Sequence, residues 1–263
     1  MSTIPVSVFI ITLNEECNLL RLLPQLSTFA EVVIVDSGSS DRTEAVANSF
    51  ANVRFSRRDW TGFGDQKQHA LSLCRSEWVL NLDADEEMTQ QYRDVLLQTV
   101  EENAFDALES RRVLLRWGKK PRGAGKDNIL IRLFRKSCAH YTAVKVHERI
   151  VIEGRIKTTQ AALTHHENLS FGQRMQKSNQ YSQLKADDKF AKGHRSTVLH
   201  LVLIFPLAFI QCYLGKGCFL DGCDGFLTSM NFAYYNFMKY AKLWELQHQP
   251  QAVAASAAKH PLA

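Results

Sequence analysis

Four short apolar runs, at residues 6–11, 32–35, 53–57 and 78–82, constrain the fold of this chain more than any other feature. Each is too short for a helix and, apart from the third, almost free of polar residues, as strands are when both faces of their sheet are covered. Helix-length segments fill the gaps. Leu19, Leu20, Leu22, Leu23 and Leu26 form an apolar stripe after the first run, with Asn14 expected as the N-cap and Glu15-Glu16 suited to the positive helix end. Ser37-Gly38-Ser39-Ser40-Asp41 reads as a turn that caps a helix over 42–50, and Gly62-Phe63-Gly64 as a loop before a helix over 65–74. A βαβαβαβ order predicts an α/β fold with a parallel sheet and right-handed crossovers.

Ligands of such sheets bind beyond the carboxyl ends of the strands. The second run ends at Asp36, and the fourth, 47 residues on, runs into Asp83-Ala84-Asp85-Glu86. Residues two apart on an extended strand share a face, so Asp83 and Asp85 are expected to converge. Paired carboxylates call for a hard divalent cation, Mg²⁺ or Mn²⁺, shared with a ligand's phosphates. Other nucleotide sites are excluded by motif. Thr12-Leu13-Asn14-Glu15-Glu16 cannot serve as Gly-x-Gly-x-x-Gly, and no Gly-x-x-x-x-Gly-Lys-Ser/Thr is present.

Three elements, in order, carry a family resemblance: Ile10-Ile11-Thr12-Leu13-Asn14-Glu15, Val35-Asp36-Ser37-Gly38-Ser39-Ser40-Asp41-Arg42-Thr43 and Leu82-Asp83-Ala84-Asp85-Glu86. Over residues 5–90 the chain resembles the family 2 glycosyltransferases, whose nucleotide-diphosphosugar-binding fold is called GT-A. The resemblance implies a UDP-sugar donor bound by Thr12, Leu13, Asn14, Glu15, Asp36, Ser37, Lys67, Asp83 and Ala84. Thr12 and Glu15 would line the uridine pocket and Asp36 would accept the uracil N3–H. Asp83 would lie near ribose and metal, and Asp85 would ligate the metal directly. Gln66-Lys67-Gln68 replaces the family's frequent Arg-Asn pair, leaving Lys67 as a partner of the diphosphate or of an acid.

After a helix over 89–102 the pattern turns β-rich, with strands expected at 107–117, 129–135, 146–152 and 155–163. From Arg111 to Lys157 there are 14 Lys or Arg against three acids, a net +11 within a chain of +5. Such a surface is either solvated or faces an anion: diphosphate, phosphorylated glycan or lipid headgroup. No nucleic-acid-binding motif accompanies it, so nucleic acid is not an expected partner. Inverting glycosyl transfer needs a carboxylate base. Glu148, flanked by Lys145 and Arg149 and following His147, is the candidate; its bland alternative is a structural ion pair with Arg149. The pair His165-His166 ends a strand and could approach the metal.

Residues 170–192 read as a polar helix. The apolar run 198–214, interrupted by His200, Pro206 and Gln211, is short of the roughly 20 apolar residues of a membrane span. With nearby Lys216, Lys239, Lys242, Trp244 and four tyrosines, it fits a helix lying in a membrane interface; a packed core or dimer helix and a span are the alternatives. The segments 217–226 and 239–243, with Gln66-Lys67 and Val146-His147-Glu148, resemble the lipopolysaccharide-core β-1,4-glucosyltransferase branch. That resemblance implies UDP-glucose as donor, a heptose of the phosphorylated inner core as acceptor, and peripheral attachment to the anionic cytoplasmic face of the inner membrane. Asp221 is expected as a helix cap. The expected organisation is a GT-A domain over 1–193 (nucleotide-sugar half 5–90, acceptor half 105–193), a helical extension over 194–247 and a flexible tail over 248–263. A homodimer is a further possibility. The six scattered cysteines read as reduced, buried thiols, and the N-terminus lacks the pattern of a secretory signal. A polyprenyl-phosphate sugar transferase and a non-catalytic nucleotide-sugar scaffold remain the competing functions.

Overall fold

The computed structural model describes residues 3–123, 128–142, 149–167 and 169–248. The chain divides into two units, Met1–Gly118 with Lys126–Glu167, and Lys119–Gly125 with Asn168–Ala263. In the first unit the strands β1 (Ile4–Thr12), β2 (Phe29–Asp36), β3 (Val53–Arg57) and β4 (Trp78–Asn81) alternate with helices α1 (Glu16–Leu22), α2 (Thr43–Asn48) and α3 (Phe63–Leu73). They pair in parallel in the order β3-β2-β1-β4. The apolar character of residues 8–11 of β1 and 32–35 of β2 follows from coverage on both sides. Val8, Ile10, Val32 and Ile34 face one core with Leu19, Leu22, Val46 and Ala47. Phe9, Val33 and Val35 face a second with Ala70 and Leu71 of α3. Each Val, Leu, Ile or Phe among them stabilises the fold by about 1.5–3 kcal/mol when wholly buried.

The rest of this unit comprises β5 (Glu86–Met88), α4 (Gln90–Glu102), β6 (Ala107–Arg116), β7 (Asn128–Arg135), β8 (Ala139–Tyr141), β9 (Ile150–Ile152) and β10 (Ile156–Glu167). The eight-stranded sheet continues β4-β7-β6-β10-β5, and β8 and β9 form a separate pair. β7 is antiparallel to both neighbours, so the sheet is mixed beyond β4. Two expectations change here. The strand expected to end at 163 runs on to Glu167, because β6 pairs with it as far as Glu167, and β5, not foreseen, adds a second partner at Leu163, Thr164 and His165. Thr89 is not the first helical residue but the N-cap of α4, its hydroxyl accepting from the Tyr92 N–H.

The second unit holds α5 (Phe171–Ala191), α6 (Val198–Ile210) and α7 (Gly222–His248). Capping boxes start α5 (Ser170 with Gln173) and α6 (Thr197 with His200). α6 contains Pro206, passes into a π-helical turn at Gln211–Gly215, and is joined to α7 by a 3₁₀ turn at Cys218–Asp221. By contacts α5 groups with the C-terminal helices in the second unit. One sequence expectation is corrected, that for Asp221. Asp221 caps no helix: its carboxylate accepts the backbone N–H groups of Arg122 (2.7 Å) and Gly123 (2.9 Å), fixing that loop to the 3₁₀ turn. Glycine is required where the backbones meet, since a Cβ at Gly225 would lie 1.7 Å from the Cys218 carbonyl oxygen. The cysteines are free thiols as expected, but Cys17 and Cys223 are exposed, not buried.

Candidate active site

Thr12 and Asp36 stand side by side at the carboxyl ends of β1 and β2. Asp36 is buried, and its carboxylate is filled by neutral donors. Oδ1 accepts the hydroxyls of Thr12 (2.9 Å) and Ser39 (2.5 Å), and Oδ2 accepts the N–H groups of Gly38 (2.9 Å) and Ser39 (2.8 Å). Four lone-pair directions are thereby used. A uracil N3–H reaches this carboxylate only if a hydroxyl turns away. Asn14 is not the N-cap the sequence suggested. It adopts a left-handed φ of 56°, and its side chain accepts the Ser40 N–H at 2.8 Å. The open N–H groups before α1 are met instead from the loop after β2: Glu15 by Thr43 Oγ1 (2.8 Å) and Glu16 by Asp41 (3.2 Å). The loops carrying Leu13, Asn14, Glu15 and Ser37 are thus locked to each other. Ser37 also accepts from Gln66 of α3 at 3.1 Å.

At the end of β4 the chain turns at once. The Glu86 N–H bonds to the Asp83 carbonyl at 2.9 Å, so Asp83, Ala84 and Asp85 lie in a turn. The expected shared strand face is corrected: the two carboxylates meet different partners. Asp83 faces three cations, Arg132 of β7 at 2.6 Å, Lys67 of α3 at 3.3 Å and Arg112 of β6 at 3.9 Å. Glu86, fully buried, shares Arg132, lies 3.7 Å from Arg112 and accepts the Asp83 N–H at 3.1 Å. Burial works against the Asp83 anion, but Arg132, then Lys67 and Arg112, outweigh it and hold this carboxyl far below the usual carboxylate range. Burial lifts the Glu86 carboxyl above its ordinary value, and the Asp83 charge adds to the rise against the pull of Arg132. Burial disfavours the Arg132 charge, yet the two anions keep it firmly protonated.

Asp85 meets β10. Its carboxylate lies 3.0 Å from His165 Nδ1, and its carbonyl accepts the His166 N–H at 2.8 Å. His166 in turn contacts Glu87 at 2.8 Å. Among the described residues no three His, Cys, Asp or Glu side chains gather as a metal cluster. The donor set at Asp85 and His165, one hard carboxylate and one imidazole on an accessible turn, nevertheless fits a divalent cation that completes its shell from diphosphate oxygens and water. Asp83 is engaged by cations and is the less available ligand.

The structure therefore brings Lys67, Asp83, Ala84, Asp85 and His165 together, with Thr12 and Asp36 at the ends of β1 and β2 and Asn14, Glu15 and Ser37 in the loops that follow. Glu148, with Lys145 and His147, lies outside the described residues. Sequence reasoning missed Arg112, Arg132 and Glu86. A signal was present for Arg132, the lone charge in Ile129-Leu130-Ile131-Arg132-Leu133-Phe134, since a charge in a buried run needs a buried partner.

A mixed α/β sheet with acids at the ends of β2 and β4, and cations gathered at the second, is an architecture of the GT-A class. Residues 7–151 match the model for "Glycosyl transferase family 2". Over 251 residues the chain is 35% identical to the lipopolysaccharide core biosynthesis glycosyltransferase LpsC of Rhizobium meliloti (strain 1021), covering 92% of this chain and 93% of that one. An uncharacterized glycosyltransferase of Rickettsia bellii (strain RML369-C) is 29% identical over 258 residues, 93% of this chain and 87% of the relative. Among solved structures, S. aureus TarS 1-349 in complex with UDP-GlcNAc aligns with a TM-score of 0.49 at 15% identity, over 95% of this chain and 93% of that one. The chain belongs to glycosyl transferase family 2 and is a glycosyltransferase.

Proposed function

We propose that this enzyme transfers glucose from UDP-glucose, with inversion, to a heptose of the lipopolysaccharide inner core at the cytoplasmic face of the inner membrane. The observation that carries the reading is the gathering of Lys67, Arg112 and Arg132 at the Asp83–Asp85 turn, where a leaving diphosphate needs positive charge. The identity to LpsC along nearly the whole chain supports a core acceptor. In the reaction an acceptor hydroxyl oxygen bonds to the anomeric carbon as the bond from that carbon to the diphosphate oxygen breaks, and Glu148 takes the hydroxyl proton. In this reading Lys67 and Arg112 meet the departing UDP, while Arg132, buried and shared by two carboxylates, holds Asp83 and Glu86 in place. Asp85 and His165 would hold a Mg²⁺ or Mn²⁺ ion, which when bound neutralises charge on the diphosphate.

The test is transfer from a panel of radiolabelled UDP-sugars to truncated lipopolysaccharide, with and without Mg²⁺ or Mn²⁺. Selective labelling by UDP-glucose of acceptors that retain the inner-core heptose is the expected result. Labelling of polyprenyl phosphate, with turnover of Glu148→Gln unchanged, would move the acceptor to an anion that needs no base. UDP-sugar binding with no transfer to any core acceptor would leave a scaffold.

A further inference from the structure

The exposed large apolar side chains of this protein are not scattered. Of 19 among the described residues, 11 fall within residues 198–227. On α6 they are Val198, Leu199, Val202, Leu203, Leu207 and Ile210, with Leu199, Val202 and Leu207 each more than half exposed. The turns after it add Leu214, Phe219 and Leu220. The stretch Val198–Gly215 has a mean hydropathy of 2.0, yet only 11% of it is buried, so α6 is not a core helix of this chain. A contiguous apolar surface of this extent marks a docking site.

A second observation says what docks there. His200, in the first turn of α6, stacks on Tyr240 of α7 at 5.2 Å, and over the same tyrosine ring stand Lys189 of α5 (5.4 Å) and Lys239 of α7 (5.0 Å). Lys239 is half-buried and donates to Asn236 at 2.8 Å. Burial, then the charges of Lys189 and Lys185, push its pKa down, which is what a lysine held among like charges undergoes. Lysines and aromatic rings crowded at one end of an exposed apolar helix form the pattern that meets a bilayer, with apolar side chains in the acyl boundary and cations at the phosphates.

We propose that α6 and the turn after it lie in the surface of an anionic bilayer, with Lys189 and Lys239 as a seat for headgroup phosphates at the amino-terminal end of α6. The proposal deepens the reading of a lipid-linked acceptor, but its test does not depend on transfer. Full-length protein is floated with phosphatidylcholine vesicles, with and without phosphatidylglycerol, at low and high salt. UDP binding and circular dichroism confirm that each variant is folded. Wild type is expected to float with anionic vesicles and to be released by salt. Lys189→Gln/Lys239→Gln should weaken anionic binding about thirtyfold, at the usual contribution of a basic residue beside anionic lipid, and leave weak binding to neutral vesicles unchanged. Val202→Asp/Leu207→Asp should abolish binding to both. Wild type that stays unbound, binding that resists both salt and the lysine changes, as a spanning helix would, or a solution dimer that Val202→Asp/Leu207→Asp dissociates would each overturn the proposal. Vesicle binding without sugar transfer would instead count against the proposed acceptor and leave this surface standing.

Discussion

Two acids stand at the ends of two parallel strands that flank β1, Asp36 closing β2 and Asp83 just after β4, and they are satisfied in opposite ways. Asp36 is ringed by four neutral donors, all from β1 and its own loop. Asp83 is ringed by three cations drawn from α3, β6 and β7. A carboxylate saturated by local hydrogen bonds fixes the shape of a loop. One held by charges from distant elements ties the halves of the sheet together and gathers cations at one place. The same residue type at equivalent places thus serves form in one case and charge in the other.

Arg132→Met should show the largest effect. It leaves Asp83 and Glu86 close together without their shared cation, and breaking a buried ion pair costs about 3–5 kcal/mol, so the urea midpoint should fall steeply. A midpoint near that of wild type would mean that water or Arg112 already carries the load. Asp85→Ala is expected to lower turnover at least about a hundredfold, the scale for losing one electrostatic element of a transition state, with UDP-sugar binding still measurable. Full activity in chelator-treated buffer would remove both the cation and its ligand. Asp36→Asn should cost about 1–3 kcal/mol, since an amide nitrogen cannot accept from the two backbone N–H groups or the two hydroxyls it would face. Donor KM should rise in step with the stability loss; a raised KM at unchanged stability would place Asp36 directly on the uracil.

The smallest effect is a slope. The folded-state pKa of Glu86 lies above its unfolded value, so its contribution is greatest in acid and is lost as pH rises through that folded value. Asp83 is shifted the opposite way, and its contribution, present above its unfolded value, is lost only in strong acid. Urea midpoints between about pH 4 and about pH 8, spanning the ordinary carboxylate range and above, should therefore show wild type losing ground to Glu86→Gln as pH rises. A constant difference would mean that Glu86 is ionised throughout.

The parallel half of the sheet was legible because each strand is an apolar run covered on both faces, and because Asp36 and Asp83 end two of them. What escaped depended on partners far away in sequence. Nothing in residues 128–135 states that β7 slots antiparallel between β4 and β6. The N–H groups before α1 look to Asp41 and Thr43, about 25 residues on, so a local cap rule chose Asn14 wrongly. The strand-face argument for Asp83 and Asp85 failed because the chain bends after Asn81, a step earlier than the apolar run implies. Arg112 and Arg132 were read as part of a surface charge run because strand position alone does not tell which arginines face inward.

The clamp of Asp221 on the backbone of Arg122 and Gly123 bears on how the chain comes together during synthesis. Those two residues leave the ribosome 99 and 98 positions before the carboxylate that holds them. At ordinary elongation rates the loop waits about 5–20 s for its partner. Through that interval β6 and β7 on either side of it can already pair, so the loop between them is pinned last, by the arrival of the C-terminal helices.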